Sequence, residues 1–325
     1  MITISIFITL LTVFHISSFS YSRSKRVAQQ FHPFLQIKPR PVDTNLLCDT
    51  NSFRIVCIGG STTEFCDTKG NSWPDYLDSI LNTIDGLPNV HVLNCGMQWY
   101  STLHMLVHYQ TNIRRYKPDL LIVMEAINDL LPNADQSDFS NGRFREDYGH
   151  FYGPVGGLVG AKRTFTGYVM SNMRRIWYQP VRTVLELDSF PGLATYERNI
   201  KTIIDLARMD GTAVVIMTQP TSLKRVMSTD EVRQLTMVNF ETIGQTTRWS
   251  YQTAWRGMEQ YNNRVRDISH KQGVQMIDLE KTVPKNTEYF KDDVHYRDKA
   301  FPLVAATIAR ELTEHTVIRS TNEKK

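Results

Sequence analysis

Four short stretches of this 325-residue chain carry residue types suited to acyl transfer, and each directly follows an apolar run or leads into the last helix. Gly59-Gly60-Ser61 ends the run 53–58. Two glycines allow backbone angles and close approaches that a Cβ would forbid, and a helix starting after the turn would aim N–H groups at an anion formed there. A serine hydroxyl becomes nucleophilic only when an imidazole takes its proton, and that imidazole needs an acceptor to hold its tautomer and stabilise its cation. His295 is the candidate base, with Asp292 three residues earlier as its orienter. Asp293 competes with Asp292 for that place, and the spacing favours Asp292. A tetrahedral oxyanion needs fixed donors, which the N–H of Ser61, the N–H of Gly96 and the side-chain amide of Asn128 can supply. A side chain at position 96 would obstruct the approaching acyl oxygen. Glu64 and Glu125 also fall near this cleft, where a polar substrate would meet them. Phosphate binding competes for the Gly-Gly turn, but neither G-x-x-x-x-G-K-[ST] nor G-x-G-x-x-G spacing is present. The plainer reading of each stretch is a cap: Ser61, Asn128-Asp129 and Asp292-Asp293 all suit helix N-termini.

The elements that would position these residues follow from periodicity. Strand-like runs at 53–58, 90–94, 120–124, 213–217 and 274–279 alternate with helical patterns at 73–83, 102–116, 196–208, 231–271 (with a break) and 299–314. Near-continuous apolar strands between amphipathic helices predict a doubly wound α/β domain with a parallel sheet covered on both faces. Ligands in such sheets sit at the carboxyl ends of the strands, where the four stretches fall. Between 130 and 195 the alternation stops for a Gly-, aromatic- and Arg-rich insertion, expected to be a lid or binding loop. Its aromatics would line an acyl pocket, stack on a sugar, or form a small satellite core.

Composition narrows the partners. Lys and Arg number 37 against 33 Asp and Glu, with no dense basic block, which argues against nucleic acid. Cys48, Cys57, Cys66 and Cys95 have no metal-type spacing. Cys57 and Cys95 sit in strand-like runs and are expected to be buried, while Cys48 and Cys66 could pair in an oxidising compartment. The histidines outside the proposed site, His104, His108, His150 and His270 among them, also lack metal-ligand spacing. Residues 1–22 form an apolar segment followed by Arg23, Lys25 and Arg26, read as a signal peptide or membrane anchor. The protein is therefore expected to be membrane-anchored or exported, although the basic flank favours a cytoplasmic C-terminal side. Residues 23–52, with Pro33, Pro39 and Pro41, read as a linker, 53–316 as the catalytic domain and 317–325 as a polar tail.

Taken together, Gly59-Gly60-Ser61-Thr62-Thr63, Gly96, Asn128-Asp129 and Asp292-x-x-His295 resemble, in order and strand context, the four motif blocks of the SGNH (GDSL-like) hydrolase superfamily. The resemblance covers about residues 53–309. It implies a flavodoxin-like three-layer α/β/α sandwich with a five-stranded parallel sheet, no metal or organic cofactor, and hydrolysis of an O-acyl ester through an acyl-serine intermediate. It also implies Ser61 as nucleophile, Gly96 and Asn128 as oxyanion donors, His295 as base and Asp292 as its partner. Three positions depart from the pattern: Gly60 replaces the usual Asp, as in a GGST-type branch, Ala126 stands at a common Gly, and Trp99 occupies the place of a second Gly. The expected substrate is a carbohydrate or lipid ester. An acyltransferase using the same residues, or a non-catalytic glycan- or lipid-binding module of the same fold, are the alternatives.

Overall fold

The computed structural model describes residues 31–32, 34–42, 51–134, 183–236, 247–315 and 317–318. The apolar segment 1–22, much of the linker with Cys48, and the bulk of the insertion lie outside the described residues. The described residues divide between two compact units, 31–38 in one and 39 onward in the other. The first holds a two-stranded antiparallel pair, β1 (Phe31–His32) and β2 (Gln36–Ile37).

The second unit carries β3 (Phe53–Gly59), α1 (Ser61–Glu64), α2 (Trp73–Leu81), β4 (Val90–Asn94), α3 (Thr102–Thr111), β5 (Leu120–Met124) and α4 (Ile127–Leu130). It continues through β6 (Thr183–Leu185), α5 (Gly192–Met209), β7 (Ala213–Met217), α6 (Thr229–Arg233) and β8 (Thr247–Trp249). It closes with α7 (Tyr251–Gln272), β9 (Gln275–Ile277), α8 (Leu279–Thr282) and α9 (Ala300–Glu314).

Five strands form one parallel sheet in the order β4-β3-β5-β7-β9. The chain steps from β3 outward to β4 and then returns across β3 to β5, so a crevice opens at the carboxyl ends of β3 and β5. Alternation along the strands splits the core in two. Ile55, Cys57, Leu120, Ile122 and Met124 pack with Trp73 and Leu77 of α2 and Phe301, Val304 and Ile308 of α9. On the other face Val56, Ile58, Leu121 and Val123 meet Met105 and Tyr109 of α3, Ile200 and Ile203 of α5, and Tyr261 and Val265 of α7. Because side chains point to opposite faces at a period of two, every central strand is apolar on both sides and the result is three layers. The predicted α/β/α sandwich is the observed fold.

Local signals set the helix ends. Asp75 accepts from the Ser72 N–H at 2.7 Å, closing the start of α2 with Pro74 in its first turn. Gly273, at φ 60°, ends α7 in the left-handed conformation that a glycine takes without steric cost.

The expected break in the helical pattern over 231–271 is present, and one small sheet lies outside the sequence reading. The pattern over 231–271 resolves into α6 and α7 separated by β8, because Ser228 and Ser250 each start a helix of their own, accepting from Glu231 N and Thr253 N respectively. At the end of the insertion, β6 pairs in parallel with β8 to form a second small sheet that no local pattern signalled. Among the described residues no helix is long and apolar enough to cross a membrane.

Candidate active site

Ser61 is the first residue of α1, directly after the β3 turn, and is 6% exposed. Its Oγ lies 2.7 Å from His295 Nε2, and His295 Nδ1 lies 2.8 Å from Asp292 Oδ2. An ionised carboxylate can only accept, so this network assigns the proton to Nδ1 and leaves Nε2 free to take the serine proton. The second oxygen, Asp292 Oδ1, accepts the backbone N–H groups of Val294 at 3.0 Å and His295 at 2.8 Å. Burial pushes the Asp292 carboxyl up, but the bonds from the His295 ring and these N–H groups outweigh it and hold the carboxyl below its ordinary value.

The turn bearing both residues is braced at its base and along its flank. Phe290 and Tyr296 pair across it as an isolated antiparallel bridge, and the Lys291 N–H donates to the His295 carbonyl at 2.9 Å. The loop after β7 supports it: Ser222 Oγ donates to the Asp292 carbonyl at 3.0 Å, and Thr221 Oγ1 to the Asp293 carbonyl at 2.7 Å. Asp293 itself is fully buried and accepts the Thr236 N–H at 2.8 Å. It holds the support in place, and Asp292 alone faces the imidazole.

Gly96 and Asn128 both reach the carboxyl ends of the strands beside Ser61, and their donors are engaged. The Gly96 N–H donates to Asn94 Oδ1 at 3.0 Å, while Asn128 Nδ2 donates to the Tyr100 carbonyl at 3.0 Å and to Glu125 Oε2 at 3.3 Å. The Ser61 N–H meets no acceptor among the described residues. The structure adds a reason for glycine at 96. A Cβ there would lie 2.7 Å from the Glu64 N and 2.7 Å from Thr63 Cβ, so α1 itself excludes a side chain.

A buried polar frame joins the elements behind these residues. Gln219, at the end of β7, accepts the Ile127 N–H at 2.9 Å and donates to Thr62 Oγ1 at 3.1 Å, and its own backbone is gripped by the Asn262 amide of α7. Asn94 donates to the Thr63 carbonyl and to Ser72 Oγ, both at 2.9 Å. The nucleophile helix, the Asn128 turn and α7 are thereby tied into one network.

Sequence reasoning missed Phe65. Its ring stacks on His295 at 5.1 Å and 24°, and Lys291 Nζ sits 5.2 Å from the same ring. The pairing is tertiary, and nothing in residues 60–70 alone signals it. Of the two carboxylates placed near the cleft, Glu64 grips the Gln98 N–H at 2.5 Å. Burial pushes its carboxyl up against the opposing pull of Gln98 and Arg40. Glu125 is 1% exposed and points into the protein. Trp99 has φ 65°, the left-handed conformation a glycine would take freely at that position. Cys57 and Cys95 are buried free thiols and Cys66 is also free, its Sγ–H directed at the Glu64 carbonyl. Among the described residues, no group of three His, Cys, Asp or Glu side chains could hold a metal ion.

A family model described as GDSL-like Lipase/Acylhydrolase family matches residues 57–300. No curated protein matches the chain. Among solved structures, a catalytic mutant of an acetylxylan esterase from Geobacillus stearothermophilus is similar at a TM-score of 0.50 and 13% identity, covering 81% of this chain and 94% of that one. A lipase/acylhydrolase from Enterococcus faecalis is similar at 0.48 and 16%, covering 81% and 96%. A GDSL-like lipase from Bacteroides thetaiotaomicron is similar at 0.47 and 14%, covering 81% and 89%. At these identities the likeness is one of fold.

Proposed function

The chain belongs to the GDSL-like Lipase/Acylhydrolase family, which makes it an ester-hydrolysing enzyme, and from that premise we propose a serine esterase that cleaves O-acyl esters of a carbohydrate or lipid. Ser61 Oγ attacks the acyl carbon while His295 Nε2 takes its proton, and Asp292 stabilises the imidazolium that results. Collapse of the tetrahedral species breaks the bond to the alcohol oxygen, which leaves with the proton from Nε2. Water then attacks the acyl-serine, His295 accepting its proton, and the carboxylic acid departs as Ser61 regains its hydrogen.

The Ser61 N–H is the ready oxyanion donor. Gly96 joins it by exchanging Asn94 Oδ1, and Asn128 by exchanging the Tyr100 carbonyl while keeping Glu125, because a bond to a full negative charge is about twice as strong as one to a neutral carbonyl. The observation that carries this reading is the unbroken chain of 2.7 and 2.8 Å contacts from Ser61 through His295 to Asp292. A screen of p-nitrophenyl esters of rising chain length and of acetylated glycans tests it. Hydrolysis that vanishes in Ser61→Ala and His295→Ala supports the reading, and turnover retained in Ser61→Ala refutes it.

A further inference from the structure

Glu125 is an acid with almost no water around it, placed between the nucleophile turn and the Asn128 turn. It follows β5 directly and is 1% exposed. Three N–H groups donate to its two oxygens. Oε1 accepts from the backbone of Ala126 at 3.0 Å and of Asn128 at 2.9 Å, and Oε2 accepts from Asn128 Nδ2 at 3.3 Å. The backbone N–H of Gly60, the residue before the nucleophile, adds a further pull toward the charged form. Burial and the neighbouring Asp129 push this carboxyl well above its ordinary range while the N–H groups pull it down. Three donors and no acceptor suit the ionised form, which has lone pairs for all of them and no proton to place.

The glycine at 60 belongs to the same arrangement. A Cβ there would stand 2.3 Å from Glu125 Oε2 and 2.5 Å from Asn128 Nδ2. Any side chain at 60 must displace the carboxylate, the amide, or both. The glycine before Ser61 and the acid after β5 are therefore one feature: the acid occupies the space that a side chain at 60 would need.

We infer that Glu125 is a positioning residue that sets the backbone of the nucleophile turn, through Gly60, and the aim of the Asn128 amide from a single buried carboxylate. This inference rests on the proposed esterase reading for its kinetic consequence, but not for its structural one. Glu125 touches no reacting atom. Its effect reaches the reaction through Ser61, one residue beyond Gly60, and through the oxyanion donor Asn128.

Glu125→Gln is the discriminating variant, since it keeps shape and volume but turns an N–H toward the Gly60 N–H and Asn128 Nδ2. On p-nitrophenyl acetate, kcat is expected to fall 10- to 100-fold with KM within about twofold, and the wild type's own turnover decides separately whether the esterase reading holds. The amide proton resonances of Gly60 and of the Asn128 side chain supply a readout that needs no activity, and both are expected to shift in Glu125→Gln. Unchanged resonances, or wild-type kcat in an active enzyme, overturn the inference. Should Glu125→Gln fail to fold, Glu125→Gly and the pair Glu125→Gly with Gly60→Asp are compared. The pair is expected to recover at least tenfold in kcat, because the aspartate can enter the vacated space. No gain over Glu125→Gly would overturn the inference.

Discussion

Asp292 stands between two opposed influences, burial that favours its neutral form and three donors that favour its charge, and the donors win. Its folded carboxyl sits below the unfolded value of about 3.9. The stability it contributes is therefore complete above that pH and disappears as pH falls through the folded value. Asp292→Asn should flatten the acid limb of a urea-midpoint profile below about pH 5, and, by leaving the imidazole in the wrong tautomer, lower kcat by about 10⁴-fold. Phe65 acts on the same imidazole by stacking, which is worth about 0.5–1.5 kcal/mol. Phe65→Leu is accordingly expected to reduce kcat by roughly 2- to 10-fold, with KM for short esters little changed in steady-state assays. Ser61, His295 and Asp292 were legible in the sequence because acyl-transfer chemistry demands those types and the strand pattern put them at one edge. Phe65 and the inward-facing Glu125 were not, since stacking and burial are set by residues distant in the chain.

At the scale of the element, the turns matter more than the strands. Four of the five central strands match the sequence reading to within a residue, since an uninterrupted apolar run in a sheet covered on both faces has few alternatives. The fifth is shorter, Gln275–Ile277. At Gly96 the structure adds a constraint that the sequence did not signal, because the approach of α1 to the loop after β4 has no local trace. Gly96→Ala should destabilise the protein by about 1–3 kcal/mol, the usual cost of overpacking, read as a lowered denaturation midpoint. Trp99 keeps the positive φ that a glycine would adopt freely, and holding a non-glycine residue there costs about 1–2 kcal/mol. The β6–β8 pair was invisible for another reason: three-residue strands far apart in the chain have no periodicity to detect.

Across the whole molecule, the strand order gathers the chemistry. Reversal of direction at β3 and β5 brings the Ser61 turn and the Asn128 turn to one crevice, while α7 and the loop after β7 supply the buried frame behind them. The frame has a cost that global stability reports. Asp129 accepts from Thr102 N at 2.8 Å and Thr102 Oγ1 at 2.5 Å, yet burial outweighs these bonds and pushes its carboxyl up to about 7. Between the unfolded value of about 3.9 and that figure the folded state holds a proton that the unfolded chain has released. This contribution to stability therefore falls as pH rises from about 4 to 7, and thermal unfolding of Asp129→Asn should lack that slope. The central claim is that Ser61 is a nucleophile activated by His295, and active-site labelling tests it most directly. Incubation with a fluorophosphonate followed by peptide mapping should place the label on Ser61 in the native enzyme and leave it nearly absent in His295→Ala. An unlabelled Ser61 in the folded native protein, or equal labelling in His295→Ala, would contradict the account.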